Sequence, residues 1–167
     1  MDGSIFFGRE ARCELRIQSR IVKLTPELLR VVAAFERDPL ISEMFADKSY
    51  AEFACNDWAY ALLKGADVLA AAGLILRCIG RAEAWLLVSK EARMRDLVPA
   101  VRTARRMMDD RQRRPMFRRI ECHVREAAPW RKTFMAALGF TLEGVHPAWD
   151  ELGRTYCSYG RIAKENG

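Results

Sequence analysis

The sequence predicts an α/β (α+β) fold, a mixed and mostly antiparallel sheet flanked by helices. Three observations carry the expectation. The segments run strand, two helices, a three-strand meander, helix, strand, helix and two closing strands. The meander has short links and must be antiparallel, whereas the strands before and after the arginine-rich helix are joined by a crossover long enough to make them parallel. A chain of 167 residues with 50% hydrophobic and 30% charged residues can bury an ordinary core.

The elements follow in order. Residues 1–14 lack periodicity and read as an N-terminal arm, with a single domain expected over 15–167. Residues 15–23 form the first predicted strand. Thr25-Pro26 then supplies an N-cap and a proline at the first helical position, ahead of a stripe of Leu28, Leu29, Val32 and Phe35. A second helix is expected between Ile41 and Cys55. Strands follow at 58–63, 68–76 and 84–88, with turns at residues 64–67 and at Gly80-Arg81.

Asp96 reads as the N-cap of a helix that turns Leu97, Val101, Ala104 and Met108 to the core and Arg102, Arg105 and Arg106 to solvent. Residues 118–124 alternate, with Ile120, Cys122 and Val124 facing one way and Arg119, Glu121 and His123 the other. Pro129 opens a helix with a stripe of Trp130, Phe134, Ala137 and Leu138, which Gly139 ends. Residues 140–145 and 155–162 close the chain as a hairpin around residues 150–153.

Composition narrows the function classes. No apolar run is long enough to span a bilayer, and the N-terminal residues lack the basic-then-apolar pattern of a secretory signal. The five cysteines (positions 13, 55, 78, 122 and 157) form no CxxC pair, and Cys78, Cys122 and Cys157 fall in strand patterns as buried thiols. A reducing cytoplasm is the expected compartment. No structural metal site is expected, because His123 and His146 are the only histidines and neither shows ligand spacing. The ten arginines and three aspartates between Arg93 and Arg119 carry +7, against +6 for the whole chain, so the basic character is one local patch. That patch fits a nucleotide phosphate, an acidic protein partner or a solvated helix face. Nucleic acid is the least expected partner, since no aromatic-and-basic alternation accompanies the arginines.

The strand-loop-helix at 84–110, the Leu138-Gly139-Phe140 helix end and the hairpin running from Gly153 to Ile162 resemble the GNAT N-acetyltransferase superfamily over nearly the whole chain. The resemblance implies a sheet splayed between the strands near 84–88 and 118–124, with acetyl-CoA in the gap. It assigns the backbone of Leu87 and Val88 to the pantetheine arm, and the loop after them, with the helix N-terminus, to the pyrophosphate. Arg93 matches the basic residue that opens the family's phosphate motif. Asp96 and Val98 stand where that motif has glycines, and Met135 stands where many members have an acid-acting tyrosine. Arg93, Arg95 and Arg102 are the cations available to hold phosphate instead.

Acetyl transfer requires a neutral amine, so a nearby base is needed. Glu121 and His123 are the first candidates, with pairing to Arg118, Arg119 or Arg125 as the competing structural role. Glu83 is a further candidate. Tyr156 and Tyr159 read as core-edge residues. The acceptor implied is an amine on a protein or a small molecule. A second reading is a non-catalytic binding or assembly protein, since the glycine-free loop also resembles a divergent subgroup encoded by bacteriophages.

Overall fold

The computed structural model describes residues 18–35, 39–113 and 116–163. The expected arm and the start of the first predicted strand lie outside them. Within the described residues β1 (Ser19–Lys23) leads into α1 (Pro26–Ala34), whose N-cap Thr25 accepts a hydrogen bond from the Leu28 N–H at 3.4 Å. Leu29 and Val32 are buried as predicted, whereas Phe35 caps the helix end and stays exposed.

The single helix expected over residues 41–55 is two, α2 (Pro39–Ala46) and α3 (Lys48–Ala54). Asp47 divides them. Its extended backbone and its carboxylate, which accepts from the Tyr50 N–H at 3.0 Å, start a new helix where the periodicity suggested continuity. β2 (Tyr60–Lys64), β3 (Asp67–Cys78) and β4 (Gly80–Val88) form the predicted meander. The turn between β3 and β4 is tighter than expected, with Ile79 at its tip and Gly80 at φ 79°, a conformation that favours glycine.

Next come α4 (Met94–Arg113), β5 (Phe117–Arg125), α5 (Pro129–Ala137), β6 (Thr141–His146) and β7 (Tyr156–Ile162). Leu97 and Met108 are buried on the inner face of α4, and its arginines at 102, 105 and 106 are exposed. On α5, Phe134 and Leu138 are buried as predicted, but Ala137 is exposed and Met135 takes its place in the stripe; the Trp130 side chain lies outside the described set. Gly139, at φ 84°, ends the helix.

The sheet order is β1-β2-β3-β4-β5-β7-β6, antiparallel except where β4 meets β5. Each face carries its own core. Leu62, Ala70 and Ile120 pack under α4 and α5 on one side, and Ala61, Ala71 and Leu87 pack under α1, α2 and α3 on the other. Of the expected buried thiols, Cys122 and Cys157 are buried and Cys78 is exposed, because it sits at the protruding end of β3. No helix among the described residues is long and apolar enough to cross a membrane.

Candidate active site

The site begins where the sheet splits. β4 and β5 pair from Gly80↔Phe117, with a register shift between Gly80 and Arg81, to Glu83↔Glu121 and no further. Beyond that point β4 stays bonded to β3, with Ala71 opposite Leu87 and Ala70 opposite Val88, while β5 stays bonded to β7. The splay therefore lies between residues 84–88 and 122–125. It is shorter on β5 than the sequence implied, because residues 118–121 are still within the paired stretch. Leu87 and Val88 are buried in the stretch of β4 that lies beyond its pairing with β5.

The loop after β4, residues 89–93, is fastened at several points. The Ser89 N–H continues the ladder to Leu69 at 3.0 Å, the Lys90 N–H reaches the Phe35 carbonyl at 2.9 Å, and the Ser89 hydroxyl accepts from the Glu91 N–H at 3.2 Å. α4 then starts at Met94, two residues before the predicted N-cap. Asp96 is thus the third helical residue and does not cap the helix. Its carboxylate meets Lys64 Nζ on β2 at 2.9 Å. The Lys64 hydrogen bond, helped by Lys64's charge and the Arg93 N–H, holds that carboxyl below its ordinary range. Val98 lies in the second helical turn and is exposed.

Arg93, Arg95 and Arg102 are exposed and form no salt bridge with a carboxylate among the described residues, although the charge of Arg95 acts on Asp96. The first N–H groups of a helix have no intrahelical acceptor; here the Asp96 N–H is taken by the Arg93 carbonyl at 2.9 Å, and the other amides of this end, with the guanidinium groups, can meet an anion. Asp96 works against that from the same turn.

The acid-base candidates lie on the sheet face opposite α4 and α5, and the structure separates them. Glu121 is clamped by Arg81, at 2.6 and 2.9 Å, and by Arg119 at 3.2 Å. Burial alone would raise its carboxyl, but the bonds and charges of the two arginines outweigh it and hold the group low. Arg119 also binds Glu143 on β6, whose carboxylate lies across Gly160, where a Cβ would collide with it. Of the sequence-predicted partners of Glu121, Arg119 is present and Arg118 is not. A carboxylate held by two guanidinium groups is a poor proton acceptor, so Glu121 is a structural member of a strand-spanning ionic ladder.

His123 is placed differently. Its Nδ1 lies 3.7 Å from Glu83 Oε1, and Arg77 holds the other oxygen of Glu83 with Nε at 2.6 Å. Since Glu83 belongs to the last β4–β5 pair, this couple stands at the mouth of the gap. Tyr50 of α3 borders it: burial first, and then the charge of Glu83, push its phenol up. Trp149 stacks on the His123 ring at 5.1 Å and 17°. His146 lies 4.8 Å from the same indole, and its Nε2 meets Ser158 Oγ at 2.9 Å.

No site role for Trp149, His146 or Ser158 is readable from the sequence. The hairpin that carries them explains why. Asp150 accepts from the N–H groups of Leu152 at 3.1 Å and Arg154 at 3.0 Å, and the Trp149 N–H donates to the Arg154 carbonyl at 2.9 Å. Ala148 takes φ 50°, uncommon for a residue with a Cβ, and the folded-back loop brings Trp149 over β5. The Asp150-to-Gly153 turn is a readable signal; the contact it makes across the sheet is not.

Met135 is buried with its sulfur 3.3 Å from Cys122 Sγ, so no hydroxyl stands at that position. Burial pushes the Cys122 thiol up to about 12, which leaves it protonated and unreactive. Tyr159 is buried beside it, and Tyr156 is half-buried with its hydroxyl 3.2 Å from Arg154 Nη2. Among the described residues no group of three or more His, Cys, Asp or Glu is arranged to hold a metal ion.

The fold has counterparts among solved structures. The ribosomal-protein-S18-alanine N-acetyltransferase of Escherichia coli matches with a TM-score of 0.68 at 12% identity, over 90% of this chain and 97% of that one. The chain has the GNAT fold. A chimera of the Vibrio cholerae spermidine N-acetyltransferase and hSSAT matches with a TM-score of 0.65 at 14% identity, over 87% of this chain and 96% of that one. A GNAT-family acetyltransferase of Bacillus anthracis matches at 0.66 and 10%, over 88% and 96%. No family model and no curated protein sequence matches the chain.

Proposed function

We propose that the chain is an acetyl-CoA-dependent N-acetyltransferase that passes the acetyl group directly to an amine of a protein or a small molecule. The observation that carries this reading is the end of β4–β5 pairing at Glu83↔Glu121. It leaves a gap with the amides and arginines of α4 at one end and the Glu83–His123 couple at its mouth.

In this reading residues 84–88 line the thioester arm, and Arg93 and Arg95 meet the phosphates, with Arg102 two turns further along the same face of α4 as Arg95. The amine enters from the side of Trp149 and His123. Its nitrogen attacks the thioester carbonyl, a C–N bond forms, the C–S bond breaks, and coenzyme A leaves as thiolate. His123, oriented by Glu83, takes the proton released by the amine. The thiolate is protonated from water, since Met135 has no proton to give. Glu121 takes no part in proton transfer and fixes the geometry of β5 beneath His123.

The test is release of free thiol from acetyl-CoA across a panel of polyamines, amino acids and peptides with free N-termini or lysines. Turnover with at least one amine, reduced about a hundredfold or more in Glu83→Gln, is expected. Background release with every amine, or equal rates in the variant, would overturn the reading.

A second reading has an observation of its own. Asp96 places a carboxylate in the first turn of α4 and the loop has no glycine, both adverse to phosphate. On that reading the fold serves as a binding or assembly component, as in the phage-encoded subgroup, with the arginine face of α4 meeting an acidic protein partner. Retention of an acidic partner together with absence of thioester binding would favour it.

A further inference from the structure

An apolar cavity of about 150 Å³ lies between α4 and the sheet, on the face opposite His123. Its size follows from the residues that meet across it. β3 and β4 contribute Ala70, Ala72 and Ala84 and α4 contributes Ala100 and Ala104 among larger residues such as Leu62, Leu86 and Met107, and these short side chains leave the space between the larger ones unfilled. Polar groups are nearly absent from the wall; the exceptions are the Thr103 and Tyr60 hydroxyls and the indoles of Trp58 and Trp85. A pocket of this size and lining takes an aliphatic or aromatic group of roughly six carbons.

Its position points to one occupant. Ala84 and Leu86 line the cavity, and both belong to the part of β4 beyond its last pair with β5. Met135 and Phe134 of α5 line it as well. The cavity and the proposed thioester gap therefore share a wall. We infer that the site also takes a thioester with an acyl chain longer than acetyl, of about six carbons, with the chain lying in this cavity while the amine approaches from the opposite face. The inference rests on the proposed function for the placement of the thioester. The bonds made and broken are those of acetyl transfer; only the acyl group differs.

The test compares binding of coenzyme A, acetyl-CoA and hexanoyl-CoA by calorimetry to the wild-type protein and to Ala104→Leu and Ala72→Leu, each of which fills the cavity from a different wall. Burial of four further methylenes is expected to tighten hexanoyl-CoA at least tenfold over acetyl-CoA. Either filled variant should remove that preference and leave acetyl-CoA unchanged, with circular dichroism confirming that the variant tested is folded. Equal affinity for both thioesters, or a preference that survives filling of the cavity, would overturn the inference while leaving the thioester site standing. Absence of binding by all three ligands would instead remove the proposed function, and the inference with it.

Discussion

At the scale of single residues, two carboxylates one strand apart have been given different work. Glu83 and Glu121 are register partners, but Glu121 is enclosed by Arg81 and Arg119, whereas Glu83 turns one oxygen to His123. His123→Ala is therefore expected to lower kcat as Glu83→Gln does, with little change in KM for the thioester. Glu121→Gln is expected to act on stability instead. The carboxyl is held below its ordinary value of 4.5, so the folded protein binds fewer protons than the unfolded one near that pH. Its contribution is complete above that ordinary value and is lost as pH falls through the lower folded one. Urea unfolding of Glu121→Gln should thus show lower stability than the wild type at neutral pH, and a smaller further loss on acidification. The shared face of Glu121 and His123 was legible in the alternation of β5. Which of them is tied up was not, because Arg81 and Glu83 come from a strand some 40 residues earlier in the chain.

At the scale of elements, the start of α4 decides how the phosphate end works. Sequence signals place the N-cap at Asp96, whose residue type is suited to that role, but Lys64 on β2 draws the carboxylate away and the helix begins at Met94. That is a tertiary contact overriding a local preference. Asp96→Asn removes the adverse charge and is expected to tighten coenzyme A binding severalfold in calorimetry, with some loss of stability from the broken Lys64 pair. The split of the predicted second helix at Asp47 has a local cause, and Asp47-Lys48-Ser49 could have been read as a new N-cap. β3 carries a different constraint. Gly73 faces the Trp85 indole, and a Cβ at that position would fall 2.9 Å from the ring, closer than side-chain carbons can approach. Gly73→Ala is expected to cost about 1–3 kcal/mol in unfolding experiments, as the ring is displaced from its contact with Phe45.

At the scale of the whole molecule, the element order and the parallel β4–β5 pair were readable because they depend on link length and hydrophobic period, which are local properties of the chain. The mixed fold follows from them. The Trp149–His123–His146 cluster and the alanine-lined cavity were not readable, since each depends on which faces the sheet brings together. The central claim is that the gap between β4 and β5 holds a coenzyme A thioester. Hydrogen–deuterium exchange with and without acetyl-CoA tests it most directly. Added protection confined to residues 84–88 and the start of α4, weakened in Arg93→Ala, is the expected result. No change in protection at millimolar acetyl-CoA, or protection elsewhere on the molecule, would contradict the claim.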